Sequence, residues 1–156
     1  MPDPKLLAEL VGHEFGTVPS VNFSPNGERL VSAGKDGTVR VWDLKTRKEL
    51  FVRREHESHV FEAVYSPSGD LIASAGGDHA IRLWNPANGA SAGILRGHSQ
   101  IVVCLAFHPT ESTLASGSVD GTIRFWNLKE LCPDDRIKGG VIEFTDRELW
   151  PRALVF

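Results

Sequence analysis

A chain of 156 residues, 41% of them hydrophobic, is long enough for one domain with its own core and requires no second. Seventeen basic against twenty acidic residues give a formal charge of -3 with the signs interspersed, so the basic face that nucleic acid needs is missing and no nucleic-acid partner is expected. The start, MPDPKLLAELVGH, has acidic and proline residues where a signal peptide has a basic start and an apolar run, and no membrane-length apolar stretch follows. The expectation is a soluble, cytoplasmic protein without a membrane partner.

In chain order, residues 5–13 (KLLAELVGH) align with residues 48–56 (KELFVRREH) and read as an outermost strand that has no inner three strands before it. Ser24-Pro25-Asn26-Gly27 is a type I turn signal, with proline presetting φ and glycine closing. RLVSAG (29–34) and VRVW (39–42) are strands, and the Asp36-Gly37 between them is a hairpin signal. The second unit repeats the design with the turn Ser66-Pro67-Ser68-Gly69 and the strands LIASAG (71–76) and IRLW (81–84). The third runs VVCLAF (102–107), HPTES, TLASGS (113–118), VDG and TIRFWN (122–127), then a polar connection. These strands alternate poorly between apolar and polar residues, which predicts sheets buried on both faces. A weak outer strand is expected around residues 136–138, with Gly139-Gly140 beyond it, and RALVF (152–156) reads as the innermost strand of a fourth unit, with about seven extra residues before it.

The period is fixed by three in-phase copies. Ser32, Ser74 and Ser116 step by 42 residues, as do Asp36, Asp78 and Asp120, and Trp42, Trp84 and Trp126. Pro67 and Pro109 keep the step, as do His56 and His98, whereas His13 lies 12 residues before Pro25 instead of 11, so the first copy carries one inserted residue. His56 follows Glu55 where the other two histidines follow glycine, and His59 is a neighbour out of phase. Cys104, in an apolar run, and Cys132, in a polar connection, make neither a metal-ligand spacing nor a disulfide framework. No metal and no cofactor are expected.

Gly12-His13, Gly97-His98, the three aspartates, Trp42-Asp43, Trp84-Asn85 and Trp126-Asn127, at this period, resemble the WD-repeat β-propellers, whose repeats of about 40–45 residues each supply four strands. The resemblance implies an all-β fold: a partial β-propeller of about three four-stranded antiparallel blades, plus terminal strands of further blades. It also implies a buried hydrogen-bonded chain in each repeat. The sets are His13, Ser32, Asp36 and Trp42; His56, Ser74, Asp78 and Trp84; and His98, Ser116, Asp120 and Trp126.

Serine, histidine and aspartate are also the parts of a hydrolase triad, but a nucleophile stands once, at the mouth of a cleft, on a strained elbow. Groups recurring three times in equivalent places, with no G-x-S-x-G, no phosphate loop and no metal cluster, predict a structural role and no enzyme activity. The domain reading is residues 1–12 as the outer strand of a ring-closing blade, repeats at 13–55, 56–97 and 98–140, and the start of a truncated fourth at 141–156. Closure needs four to eight blades, so a fragment of a larger protein, or a piece that self-associates through open blade edges, is expected.

The family pattern places partner contacts on the narrower rim, three and five residues after the histidine and just before the aspartate. That gives Thr17, Pro19 and Lys35 in the first blade, His59, Phe61 and Gly77 in the second, and Ile101, Val103 and Val119 in the third. Trp150 and Arg152 would join them if the fourth unit forms. Apolar side chains inside a polar margin suit a protein partner, or another domain of the parent chain. Arg40, Arg82 and Arg124 repeat in phase and read as a solvated blade edge. The functional expectation is a non-catalytic interaction scaffold. The alternative is a regulatory or targeting propeller attached to a catalytic domain absent from this chain.

Overall fold

The computed structural model describes residues 5–129 and 140–142. The chain forms three four-stranded antiparallel sheets, and each takes its strands consecutively from the sequence. The first blade is β1 (Ser20–Phe23), β2 (Arg29–Ala33), β3 (Val39–Asp43) and β4 (Lys48–Arg53). The second is β5 (Val60–Tyr65), β6 (Ile72–Gly76), β7 (Ile81–Trp84) and β8 (Ser91–Leu95). The third is β9 (Val102–Phe107), β10 (Thr113–Ser118), β11 (Ile123–Asn127) and β12 (Gly140–Ile142). β12 pairs along β11, Ile123 opposite Ile142. The outer strand of the third blade is thus at 140–142, whereas the stretch expected to form it, residues 136–138, lies outside the described residues.

Hairpin chemistry explains the meander. Gly27 and Gly69 donate their amides to the carbonyls of Ser24 and Ser66, closing the turn between first and second strands of their blades. At the next turn Gly37 and Gly121 adopt φ of 78° and 81°. The equivalent residue of the second blade is His79, held at φ 64°, a left-handed conformation that costs an L-residue roughly 1–2 kcal/mol.

Poor alternation in the sequence corresponds to middle strands buried on both faces: every residue of β6 and β7 is buried, as are four of the five in β3. The outer strands β4 and β8 are less buried than these middle strands. Two hydrophobic clusters form the core, and each straddles a blade junction. Val31, Val39 and Val41 of the first blade pack with Val60, Ala63, Tyr65, Ile72 and Trp84 of the second. Ala73, Ile81, Leu83 and Leu95 of the second pack with Val102, Leu105, Leu114 and Trp126 of the third. The second and third blades therefore carry their tryptophans, Trp84 and Trp126, toward the blade before them.

Polar clamps join the innermost strands. Asn22 Oδ1 accepts the amide of Tyr65 at 3.0 Å, and Ser20 Oγ accepts that of Ala63 at 3.5 Å. One blade further on, a Glu62 carboxylate oxygen accepts the amide of Leu105. Burial pushes the Glu62 carboxyl up to about 6, against the opposing effect of that hydrogen bond.

Residues 5–12 form no strand. A lone segment gains ladder hydrogen bonds only from a sheet with an open outer edge. Among the described residues the first blade also has no neighbour on the face that the other two bury. Val21 and Phe23 are 60% and 63% exposed, while the residues 42 positions on, Ala63 and Tyr65, are 0% and 7% exposed. An exposed apolar sheet face drives association. Light scattering behind a sizing column is expected to show the isolated chain as dimers or larger species, and Val21→Lys with Phe23→Lys to shift it toward the 17.1 kDa monomer. A wild-type chain that stays monomeric at high micromolar concentration would remove that expectation.

Candidate functional site

Each blade contains the same four-residue chain of hydrogen bonds. In the first, Trp42 Nε1 donates to Ser32 Oγ at 2.9 Å, and His13 lies with Nε2 2.8 Å from Ser32 Oγ and Nδ1 3.0 Å from Asp36 Oδ2. In the second, Trp84 Nε1 donates to Ser74 at 2.9 Å, His56 Nε2 is 2.8 Å from Ser74, and Nδ1 is 2.9 Å from Asp78. In the third, Trp126, Ser116, His98 and Asp120 are linked by three contacts of 2.8 Å each. An ionised carboxylate only accepts, so Nδ1–H donates to aspartate, Nε2 is left as an acceptor, and the serine hydroxyl donates to it while receiving the tryptophan N–H. Every polar atom along the chain is used.

The elements supply these groups from fixed places. Serine stands mid-strand on β2, β6 and β10, tryptophan on the facing strand, aspartate in the hairpin between them, and histidine on the incoming connection. The extra residue of the first copy is absorbed in the exposed Glu14-Phe15-Gly16 bend, where Gly16 takes φ 77°, and the hydrogen bonds of His13 match those of its equivalents. Glycine before histidine has a steric reason: a Cβ at Gly12 would meet the Trp42 ring at 2.7 Å, and one at Gly97 would meet the Arg124 guanidinium at 2.7 Å.

The three copies differ at the aspartate. Thr38 and Thr122 donate their hydroxyls to Asp36 and Asp120 at 2.6 Å, whereas the second blade has Ala80 there. Burial works to raise the Asp36 carboxyl, but hydrogen bonds from Thr38, His13 and the Glu14 and Thr38 amides outweigh it and hold it at about 2. Asp78 is likewise held at about 2, where burial is outweighed by His56 and Arg82, and Asp120 is lowered further. His98 is lowered from its ordinary value by burial, against the pull of Asp120.

Two of the three in-phase arginines, Arg40 and Arg82, are a correction to the sequence reading of a solvated edge, while Arg124 is half-buried. Arg40 is 5% exposed; its guanidinium lies 3.6 Å from Asp36 and 2.5 Å from Glu49. Arg82 is also buried, 3.4 Å from Asp78. Four residues after the aspartate along a hairpin, the guanidinium folds back onto the carboxylate instead of reaching water, and the charge is compensated inside the blade. The periodic RxW signal was visible in the sequence, but its direction was not.

The serines are buried, so no Oγ faces a cleft. Among the described residues no group of three or more His, Cys, Asp or Glu side chains could hold a metal ion. No helix there is long and apolar enough to cross a membrane.

The rim positions are arranged by three equivalent backbone bonds. Lys35, Gly77 and Val119 donate their amides to the carbonyls of Thr17, His59 and Ile101 at 3.0, 2.8 and 2.9 Å. This places Thr17 with Lys35, His59 with Gly77 and Ile101 with Val119 at the same end of successive blades. His59 Nδ1 reaches the Lys35 carbonyl at 2.5 Å and stands edge-on to the Phe61 ring, with centroids 6.5 Å apart, so it bridges two blades. Thr17, Pro19, Lys35 and His59 are exposed, and Phe61, Ile101, Val103 and Val119 are half-buried. Trp150 and Arg152 lie outside the described residues, as does Cys132. Cys104 is buried, and burial, with the Glu62 charge beside it, pushes its thiol up to about 11.

Ser116→Ala strands a buried indole N–H and a buried imidazole nitrogen and is expected to cost about 2–4 kcal/mol, read as a lowered midpoint in urea unfolding. The sign of the pH dependence follows from the shifts. Depressed carboxylates stabilise the fold above their ordinary value of 3.8, and that stabilisation is lost as pH falls toward about 2. His98, lowered from 6.5, adds loss as pH drops below 6.5, while Glu62, raised from 4.5 to about 6, acts oppositely and regains stability on protonation. Thermal melts are expected to change little between neutral pH and about 4.5 and to collapse below 4.

The family model for the WD domain, G-beta repeat (WD40), matches residues 4–43, 47–85 and 89–127. The chain is 39% identical over 49 residues to Retinoblastoma-binding-like protein E of Dictyostelium discoideum, covering 31% of this chain and 9% of that one. It is 43% identical over 47 residues to MST50-interacting protein 11 of Pyricularia oryzae and equally to the small ribosomal subunit protein RACK1 of Neurospora crassa, in each case 30% of this chain and 15% of the relative. The matches thus span well under two thirds of the relatives' own length. Among solved structures, the crystal structure of RRP9 WD40 repeats superposes with a TM-score of 0.75 at 25% identity, over 83% of this chain and 40% of that one. Three in-phase repeats with three matching hydrogen-bonded chains and three matched segments place this chain in the WD40 repeat family.

Proposed function

We propose that the chain is a non-catalytic protein-interaction scaffold, part of a larger WD propeller, and that it presents the rim at Thr17, Pro19, Lys35, His59, Phe61, Ile101, Val103 and Val119 to a protein partner. The observation that carries this reading is the division of labour between interior and rim. All three serine–histidine–aspartate sets are spent inside the blades, and the half-buried Phe61, Ile101 and Val103 are left at one end beside the exposed His59 and Lys35. Apolar anchors with a polar margin are the arrangement that excludes water around a hot spot.

Two relatives carry names that record binding to another protein, the retinoblastoma-binding-like and MST50-interacting proteins. That agrees with an interaction role for this chain without giving its partner. The near-balanced charge supports a protein partner over nucleic acid, and the cytoplasm is the proposed site of action.

The test is affinity capture from a cell lysate with the wild-type chain and with Phe61→Asp plus Ile101→Asp, circular dichroism confirming that both fold alike. The expected result is a reproducible set of proteins on the wild type that falls at least tenfold on the double variant, the equivalent of about 1.4 kcal/mol or more. Retention of the same set by a folded double variant would refute the rim reading.

A further inference from the structure

The blade ends opposite the rim carry two grooves that occupy the same place at successive junctions, so each residue of one has its counterpart 42 positions on in the other. Between the first and second blades the groove holds about 240 Å³, and between the second and third about 500 Å³. Three residues at the floor differ between the two grooves. Arg29, Tyr65 and Pro86 in the first groove become Leu71, Phe107 and Leu128 in the second. Arg29 lines the first groove and donates to the Pro86 carbonyl at 2.8 Å, which ties its side chain across the floor. Leu71 has no group with which to do so. It joins Phe107 and Leu128 in the core cluster of that junction, leaving a hydrocarbon floor under an open mouth.

The mouth is acidic. Asp70 Oδ1 accepts the hydroxyls of Ser66 and Ser68, which help to hold the carboxyl below its ordinary value and so charged. Glu111 stands across the mouth on a turn held by His108, whose Nδ1 accepts the amides of Thr110 and Glu111 at 3.3 and 3.0 Å. Among the described residues no lysine or arginine nitrogen lies within ion-pair distance of Asp70 or Glu111, whereas the carboxylates inside the blades, Asp36 and Asp78, are paired with Arg40 and Arg82. In the first groove the counterpart of Glu111 is Gly69, and an arginine already fills the space.

We propose that the groove between the second and third blades is a docking site for an extended peptide segment of another protein that presents one unbranched or γ-branched aliphatic side chain flanked by lysine or arginine. The aliphatic group lies on Leu71, Phe107 and Leu128, and the flanking cation is held between the Asp70 and Glu111 carboxylates. An acidic mouth over an apolar floor selects this chemistry: an anionic or fully apolar segment meets either repulsion or unpaired charge. The site is independent of the rim, which lies at the other end of the strands.

The test is titration of the ¹⁵N-labelled 156-residue chain with acetyl-Ala-Lys-Leu-Lys-Ala-amide to millimolar concentration, followed by amide shifts, with acetyl-Ala-Glu-Leu-Glu-Ala-amide as the counter-probe. The expected result is saturable shifts at Leu71, Phe107, Thr110, Glu111 and Leu128 with the basic peptide only, weakened by added salt. Leu71→Arg, which installs the residue of the neighbouring groove, is expected to weaken binding at least tenfold. Glu111→Gln leaves the floor untouched and is expected to weaken it several-fold, which keeps the test decisive should Leu71→Arg perturb folding. Absence of saturable shifts, shifts confined to the rim around Phe61 and Ile101, equal binding of the acidic peptide, or full affinity in a folded Leu71→Arg or Glu111→Gln chain would each overturn the proposal.

Discussion

The serine hydroxyl at the centre of each blade is the group on which the rest of the structure depends. It takes the indole N–H from one strand and gives its proton to the imidazole from the incoming connection, so three separate segments of one repeat meet at one oxygen. In a buried setting a polar chain of this kind is all or nothing, because each member left unpaired carries its full desolvation cost. It therefore fixes strand register more sharply than the apolar pattern can, since strands buried on both faces give the register little apolar contrast. The arginine that folds back on the aspartate extends the same logic, and it turns what reads as a surface charge into an internal counter-ion.

Between blades the polar clamps are weaker and less regular. Ser20 and Asn22 hold the second blade's inner strand, Glu62 alone holds the third, and the corresponding place on the third blade is the buried Cys104. Junction strength therefore rests mainly on the two apolar clusters, and the polar positions are free to vary. That freedom explains how Glu62 can stand as a buried acid with a raised pKa at a blade junction. It also explains how two successive grooves on the same face come to have opposite chemistry.

The two ends of the blades have separate tasks in this reading. One end collects the connections between blades and presents Phe61, Ile101 and Val103 with His59 bridging to its neighbour. The other end presents the tight turns of the first hairpins, with floors set by three residues per junction. Both surfaces are assembled from side chains contributed by different repeats, so each exists only because the blades stack.

Sequence alone determined the repeat. A 42-residue step shared by serine, aspartate and tryptophan, with turn residues at fixed offsets, specifies four strands per unit, because turn chemistry and side-chain period are local properties of the chain. Ser32, Ser74 and Ser116 were legible as structural for the same reason: a nucleophile has no cause to recur. Tertiary structure alone decided the rest. Arg40 and Arg82 point inward because a carboxylate that the fold brings near outweighs their tendency to seek water. The outer strand of the third blade sits at Gly140–Ile142 because pairing with β11, and no local propensity, selects it. Residues 5–12 form no strand for the complementary reason, that a strand is defined by its neighbour. The open groove over Leu71 was invisible in the sequence because a cavity is a property of two blades at once, and what fills the space at one junction and leaves it empty at the next is whether the residue there is long enough to reach across.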